Sequence, residues 1–372
     1  MPPLSLLIKP ASGNCNMRCS YCFYIDEMKK RELPSYGMMS EETLCHVIRK
    51  SLAYAQEHCT IAFQGGEPTL IGLEFYQKVV QLVATWNVNA CIIHYAIQTN
   101  GYCLEPAWFA FFKQYNFLVG VSLDGPEELH NQYRVDAKGN GTFHQVMETI
   151  AQLKEQQIAF NILTVVHAET VPKVNQLYNF FKRNQLPYQQ YIECLDPIGE
   201  VPGQQAYSLT PELYGDFLIA LFKKWYKDMA VGNYVYNRYF ENLLGILTRK
   251  HPESCAMAGR CGDYLTIEAD GSVYPCDFYV LDEWKMGNFQ TNTIPEMITK
   301  RKDLQFVEVS FPVPDACQVC RWYPLCRNGC RRNCEPCTTT ERGVNYFCTG
   351  YQRFFTYAYP YMEDLIRRYN MS

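Results

Sequence analysis

The chain has 372 residues, 48% hydrophobic and 15% aromatic, with a formal net charge of −4. That composition supports two to three folded domains of roughly 150 residues each and excludes a disordered chain. The small negative charge gives no electrostatic reason for a nucleic-acid partner. No apolar run approaches the roughly 18 residues of a membrane span.

Along the chain, Leu4–Lys9 reads as a first strand, running into a cysteine-bearing loop. The short apolar stretch Leu4–Ile8 has no basic region before it, so the chain is read as cytoplasmic, and eighteen cysteines in that compartment argue for metal rather than disulfides. Ser40 is placed as the cap of a helix with the apolar stripe Leu44, Val47, Ile48, Leu52 and Ala55. Strands follow at Thr60–Phe63, Cys91–Gln98, Phe117–Ser122, Phe160–Val166 and Tyr188–Glu193, with helices at Phe75–Trp86, Thr142–Gln156 and Val171–Asn184. Alternation of this kind implies parallel strands with right-handed crossovers. The fold class expected is α/β, a partial (β/α)6 TIM-like barrel.

The ends of these strands are polar: Gln64-Gly65-Gly66-Glu67, Gln98-Thr99-Asn100-Gly101, Ser122-Leu123-Asp124-Gly125, His167, and Glu193-Cys194-Leu195-Asp196. Parallel α/β folds bind ligands at that rim. Residues 197–209 are rich in Pro, Gly and Gln and read as a linker; Thr210-Pro211 opens a capped helix. A second helix spans about Tyr236 to Arg249, and Pro252 ends it. From Cys255 the sequence is cysteine-dense, with a hairpin signal at Ala269-Asp270-Gly271. The expected domains are therefore 1–205, a helical linker region 206–254, and a cysteine-rich module 255–372 with a C-terminal helix, whose small core needs metal staples.

Cys15, Cys19 and Cys22 form CxxxCxxC within CNMRCSYCFY. A structural zinc takes four ligands, and no fourth Cys or His is near in sequence. Three thiolates instead hold three irons of a four-iron cluster and leave one iron open. Eight further thiols, Cys255, Cys261, Cys276, Cys317, Cys320, Cys326, Cys330 and Cys348, suffice for two closed clusters; two zinc knuckles are the alternative. Cys334 and Cys337 make another CxxC, and spacing alone allows either to displace one of the eight. They are read, with Cys45, Cys59, Cys91, Cys103 and Cys194, as free thiols.

On these residues the first ~200 positions resemble the radical S-adenosylmethionine enzymes, whose three-cysteine loop follows the first barrel strand. The resemblance implies that the open iron chelates the methionyl end of S-adenosyl-L-methionine and that C–S cleavage gives a 5′-deoxyadenosyl radical. It places Gly65, Gly66 and Glu67, within the GGEP motif, at the methionyl ammonium. Tyr24 and Leu195 fall at adenine contacts, and Ser122 and Arg134 at the ribose and carboxylate.

The second cysteine group resembles the SPASM extension. This implies one auxiliary [4Fe-4S] cluster on Cys255, Cys261, Cys276 and Cys330, and another on Cys317, Cys320, Cys326 and Cys348. Three [4Fe-4S] clusters and S-adenosyl-L-methionine are thus the expected cofactors. KPASGNCNMRCSYCFY, FQGGEPTL, SLDGP and CDFYVLDEWKMGN are similar to stretches of the anaerobic sulfatase-maturating enzymes, over nearly the full length.

That resemblance implies oxidation of a Cys or Ser side chain of a sulfatase polypeptide to Cα-formylglycine. Asp277 would be the general base; its plain alternative is a turn hydrogen bond. The expected partners are an extended or unfolded segment of the Cys/Ser-x-Pro-x-Arg type and an external low-potential electron donor such as ferredoxin or flavodoxin. No nucleic acid or membrane partner is expected. Besides a zinc-bound interaction module, which the iron content of anaerobically purified protein would exclude, two other readings remain at this stage. One is a thioether-forming peptide maturase of the same branch, which usually carries an N-terminal peptide-recognition domain for which a strand starting at Leu4 leaves no room. The other is a non-catalytic electron carrier, which has no use for an amino-acid pocket.

Overall fold

The computed structural model describes residues 3–370. They divide into two compact units that interleave along the chain: one runs up to residue 122 and adds 131–160 and 263–304, and the other comprises 123–130, 161–262 and the chain from 305 onward.

In the first unit, strands β1 (Leu4–Ile8), β2 (His58–Phe63), β3 (Ile92–Thr99) and β4 (Leu118–Ser122) pair in parallel in that order. Helices Glu41–Tyr54, Leu73–Trp86 and Pro106–Gln114 connect them. Ser40 caps the first of these through the Thr43 amide, as its position before two glutamates predicts. The apolar stripe Leu44, Val47, Ile48 and Leu52 is buried. Rings of Phe63, Tyr76, Trp108, Phe111 and Phe117 form one packed aromatic cluster.

The sequence signals did not mark a helix at Phe23–Lys30, directly after the cysteine loop, nor the one at Ile294–Asp303. The predicted hairpin forms, as β8 (Leu265–Ile267) and β9 (Ser272–Tyr274), with β10 (Gly287–Asn288) antiparallel to β9. It also does something local signals do not announce. β8 pairs in parallel with β1, Leu6 opposite Leu265 and Ile8 opposite Ile267. This brings the segment containing Cys276 and Asp277 beside the first strand.

In the second unit, β5 (Phe160–Val166, most of which lies here) pairs in parallel with β6 (Tyr188–Glu193), and β6 with β7 (Tyr236–Asn237). The long helix Pro211–Ala230 starts at its predicted Thr210 cap and packs on the C-terminal helix Cys348–Arg368. Their backbones nearly touch: a Cβ on Gly350 would lie 2.2 Å from the Pro211 carbonyl oxygen, so only glycine fits. Phe222, Trp225, Phe240 and Phe354 fill the space beside that crossing. The fold class is α/β, with the alternation expected of a partial barrel running through β1–β6. Among the described residues no helix is long and apolar enough to cross a membrane.

Candidate active site

β1 delivers the chain into the loop carrying Cys15, Cys19 and Cys22. Cys22 is the residue before helix Phe23–Lys30, and its carbonyl accepts from Ile25. The Cys15 sulfur accepts from the Met17 amide at 3.3 Å and from Asn100 Nδ2 at 3.7 Å. Burial pushes the Cys15 thiol up to about 11 and raises Cys22 as well, so neither ionises readily without a cation beside it. A thiol-only donor set of this kind fits iron.

The Gly65-Gly66-Glu67 turn lies directly against this loop. The Glu67 amide donates to the Asn14 carbonyl at 2.8 Å. Gly66 has φ 51°, and a Cβ there would sit 2.1 Å from the same carbonyl oxygen. The Glu67 carboxylate is buried and turned into the protein. Its Oε1 accepts from Thr69 and from the Thr99 hydroxyl, and its Oε2 from the Asn100 amide at 2.7 Å. It therefore fixes the ends of β2 and β3 together. Ser122 Oγ, at the end of β4, accepts from Gln98 Nε2 at 3.2 Å. Arg134 is buried with its guanidinium 5.5 Å from the Tyr21 ring. Leu195 follows β6 in the second unit.

Asp277 sits in the first unit with Tyr24 and Gln64. It is 5% exposed. Its Oδ2 accepts from the Tyr24 hydroxyl at 2.6 Å and from Gln64 Nε2 at 2.9 Å; Gln64 Nε2 also reaches the Tyr24 oxygen at 2.8 Å. Its Oδ1 has no hydrogen-bond partner among the described residues. Burial raises the Asp277 pKa, with Lys9 and the Tyr24 bond pulling against that.

The buried Lys9 ammonium stands 3.0 Å from Glu268, 3.6 Å from Glu27 and 4.7 Å from the Tyr24 ring centre. Arg31 closes on Glu268 at 2.6 Å. Sequence reading missed Lys9, Gln64, Glu27 and Glu268. Gln64 had a signal, since it immediately precedes Gly65 at a polar strand end; the other three carry none.

In the second unit, Cys317, Cys320, Cys326 and Cys348 line one pocket together with Trp322, Asn328 and Tyr351. Cys348 opens the 21-residue C-terminal helix, whose N-terminal amides favour negative charge. Burial pushes the Cys326 thiol up to about 12, and charge on Cys348, Cys317 or Cys320 pushes the same way. Four such thiols ionise together only around positive charge, which is what an iron cluster provides.

Cys255, Cys261 and Cys330 also lie in the second unit, while Cys276 belongs to the first, where its sulfur accepts from the Tyr264 hydroxyl at 3.3 Å. The Cys261 amide donates to Ser310 Oγ at 2.9 Å. Cys334 is fully buried, and its thiol donates to the carbonyls of Asn328 and Cys330 at 3.0 and 3.1 Å.

Two sequence profiles match the chain and define its class. Residues 10–181 match the radical SAM superfamily, and residues 255–321 match the SPASM iron-sulfur cluster-binding domain. The chain is 45% identical over 355 residues, 95% of each chain, to a cysteine-type anaerobic sulfatase-maturating enzyme of Clostridium novyi (strain NT). It is 44% identical over 360 residues, 97% of each chain, to one of Clostridium perfringens. A solved structure of native anSMEcpe with bound AdoMet and Cp18Cys peptide superposes with a TM-score of 0.93 at 42% identity, covering 99% of both chains.

The chain belongs to the anaerobic sulfatase-maturating enzymes. It is accordingly an oxidoreductase that generates Cα-formylglycine on a sulfatase polypeptide, with S-adenosyl-L-methionine and three [4Fe-4S] clusters as cofactors.

Proposed function

We propose that Asp277 is the general base of this reaction and that its working atom is Oδ1. The observation that carries this is the asymmetry of its carboxylate: Oδ2 holds two donors while Oδ1 holds none. A buried carboxylate with a raised pKa is a better match for a substrate thiol than a solvated one. Tyr24 and Gln64 keep the carboxylate from rotating, so the free lone pairs stay aimed at one place.

Cys15, Cys19 and Cys22 would hold the cluster that binds S-adenosyl-L-methionine. Gly65 and Gly66 would present backbone to the methionyl group, with Glu67 fixing the turn. Tyr24, Ser122, Arg134 and Leu195 would make the remaining contacts expected from the family. Cys255, Cys261, Cys276 and Cys330 would hold one auxiliary cluster, and Cys317, Cys320, Cys326 and Cys348 the other. When bound, these groups would supply radical hydrogen-atom abstraction at the substrate β-carbon and a route for the electron left behind.

The protein's share is to accept the thiol proton at Asp277 Oδ1, hold the target carbon in place and exclude water while the β-carbon loses its hydrogen atom and electron; water then hydrolyses the resulting thioaldehyde, supplying the aldehyde oxygen as sulfide leaves. The preferred side chain is cysteine, as in the relatives at 44–45% identity. The substrate enters as an extended Cys-x-Pro-x-Arg segment, the electron donor is a ferredoxin or flavodoxin, and the compartment is the cytoplasm. Residues 1–205 form the radical domain, 206–254 the helical linker region, and 255–372 the auxiliary-cluster domain.

The test is mass spectrometry of a Cys-x-Pro-x-Arg peptide incubated anaerobically with reconstituted protein, S-adenosyl-L-methionine and a strong reductant. Conversion of the cysteine to formylglycine with release of 5′-deoxyadenosine is expected. Asp277→Asn should release deoxyadenosine without formylglycine; product at the normal rate would remove Asp277 as the base.

A further inference from the structure

Arg342 lies outside every motif used above, yet it is the second unit's most awkward charge. It is 4% exposed. Nη1 donates to the carbonyls of Gly259 at 2.7 Å and Ser310 at 2.9 Å; Nη2 donates to the Gly329 carbonyl at 2.7 Å and to the Cys334 sulfur at 3.4 Å. No carboxylate lies within 4.0 Å of this guanidinium among the described residues. Arg331, equally buried, has Glu335 at 2.9 Å. A buried cation with no anion is strongly disfavoured, so a counter-charge must come from something bound.

The acceptors of Arg342 show where that charge belongs. Gly259 lies between Cys255 and Cys261. The Ser310 hydroxyl holds the Cys261 amide, and Gly329 precedes Cys330. One side chain thus gathers three segments that carry, or directly support, cluster thiols. On the other flank, Asn328 Nδ2 donates to the Gly343 carbonyl, and Cys317 Sγ lies 3.7 Å from Asn328 Oδ1. Cys334 finds its role here too, as a thiol already satisfied by two carbonyls and in contact with Arg342.

We infer that Arg342 is the internal counter-cation and positioning residue of the auxiliary cluster sites, resting on the cysteine assignment proposed above. Clusters on four thiolates are anionic, and a reduced cluster carries one more negative charge than an oxidised one. A fixed guanidinium beside them therefore stabilises the loaded protein and favours the reduced state.

The test compares Arg342→Met and Arg342→Lys in anaerobically reconstituted full-length protein, by iron analysis and an EPR-monitored redox titration, with Cys317→Ala in parallel. Arg342→Met should lose at least one cluster's worth of iron, or keep its iron with the auxiliary midpoint shifted to more negative potential. Arg342→Lys should stay near wild type in both. Full iron and an unchanged midpoint in Arg342→Met would overturn the inference. So would an Arg342→Lys as depleted as Arg342→Met, which would make the guanidinium a packing element rather than a counter-charge. If Cys317→Ala retained all of its iron, the cysteine assignment itself would fall and the inference with it.

Discussion

The Tyr24 hydroxyl donates a 2.6 Å hydrogen bond to Asp277 Oδ2 across 253 residues of sequence. It joins the aromatic position two residues after Cys22 to the residue that follows Cys276. The family resemblance places Tyr24 at the adenine; its hydroxyl also serves the proposed base. Tyr24→Phe keeps the ring and deletes only the donor. Hydrogen bonds to charged groups contribute about 1.5–3 kcal/mol. Formylglycine formed per deoxyadenosine released should therefore fall about tenfold or more, because Gln64 alone then orients Oδ2. An unchanged ratio, measured by chromatography and mass spectrometry on the same reaction, would show that Gln64 suffices.

Glu27 carries a pH prediction. Burial pushes its carboxyl up to about 8, against the pull of Lys9, with Asp277 adding to the rise. A carboxyl raised above its unfolded value of 4.5 stabilises the fold while protonated. That contribution is complete below about 4.5 and is lost as pH rises through about 8. The thermal midpoint of the wild type should fall across this window, and Glu27→Gln should flatten the fall. Parallel pH profiles for the two proteins would mean that Glu27 stays ionised beside Lys9.

Gly66→Ala tests the contact between the cysteine loop and the GGEP turn. The new methyl group would enter the Asn14 carbonyl, and φ 51° disfavours it regardless of space. The loop must move for alanine to fit. Release of 5′-deoxyadenosine should be lost, together with iron from the N-terminal site. Pro68→Ala, which leaves this approach untouched, should retain both.

Much of this architecture is legible in the sequence, for local reasons. Strands β5 and β6 fall where β-branched and aromatic residues meet turn signals, and Ser40 and Thr210 cap helices because their hydroxyls satisfy the orphan amides of a first turn. The cysteine spacings survive as loops and short helices facing a pocket. What no local pattern reveals is pairing at a distance. Leu6 and Leu265 are ordinary strand residues, and only the folded chain sets them side by side. Without that pairing Lys9, at the end of β1, has no reason to meet Glu268. Lys9 is instead buried among Glu27, Glu268 and Tyr24, a position composition argues against. Arg342 is hidden for the same reason, since its acceptors are backbone carbonyls that sequence does not distinguish.

The two kinds of cysteine in the second unit make opposite predictions under the same substitution. Cys326 lines the pocket with Cys317, Cys320 and Cys348, whereas Cys334 is spent on the Asn328 and Cys330 carbonyls. A closed cluster that loses one of its four thiolates exposes an iron to solvent and degrades. Cys326→Ala should therefore lose about a third of the total iron, one cluster of three. Cys334→Ala removes a small buried group with one weak S–H donor and a weak acceptor sulfur. It should keep its iron and lower stability by about 1–2 kcal/mol. Iron analysis and chemical unfolding on the two variants separate the roles. If Cys334→Ala proved the iron-poor variant and Cys326→Ala the iron-replete one, the Cys334-x2-Cys337 pair would have displaced Cys326 from the cluster.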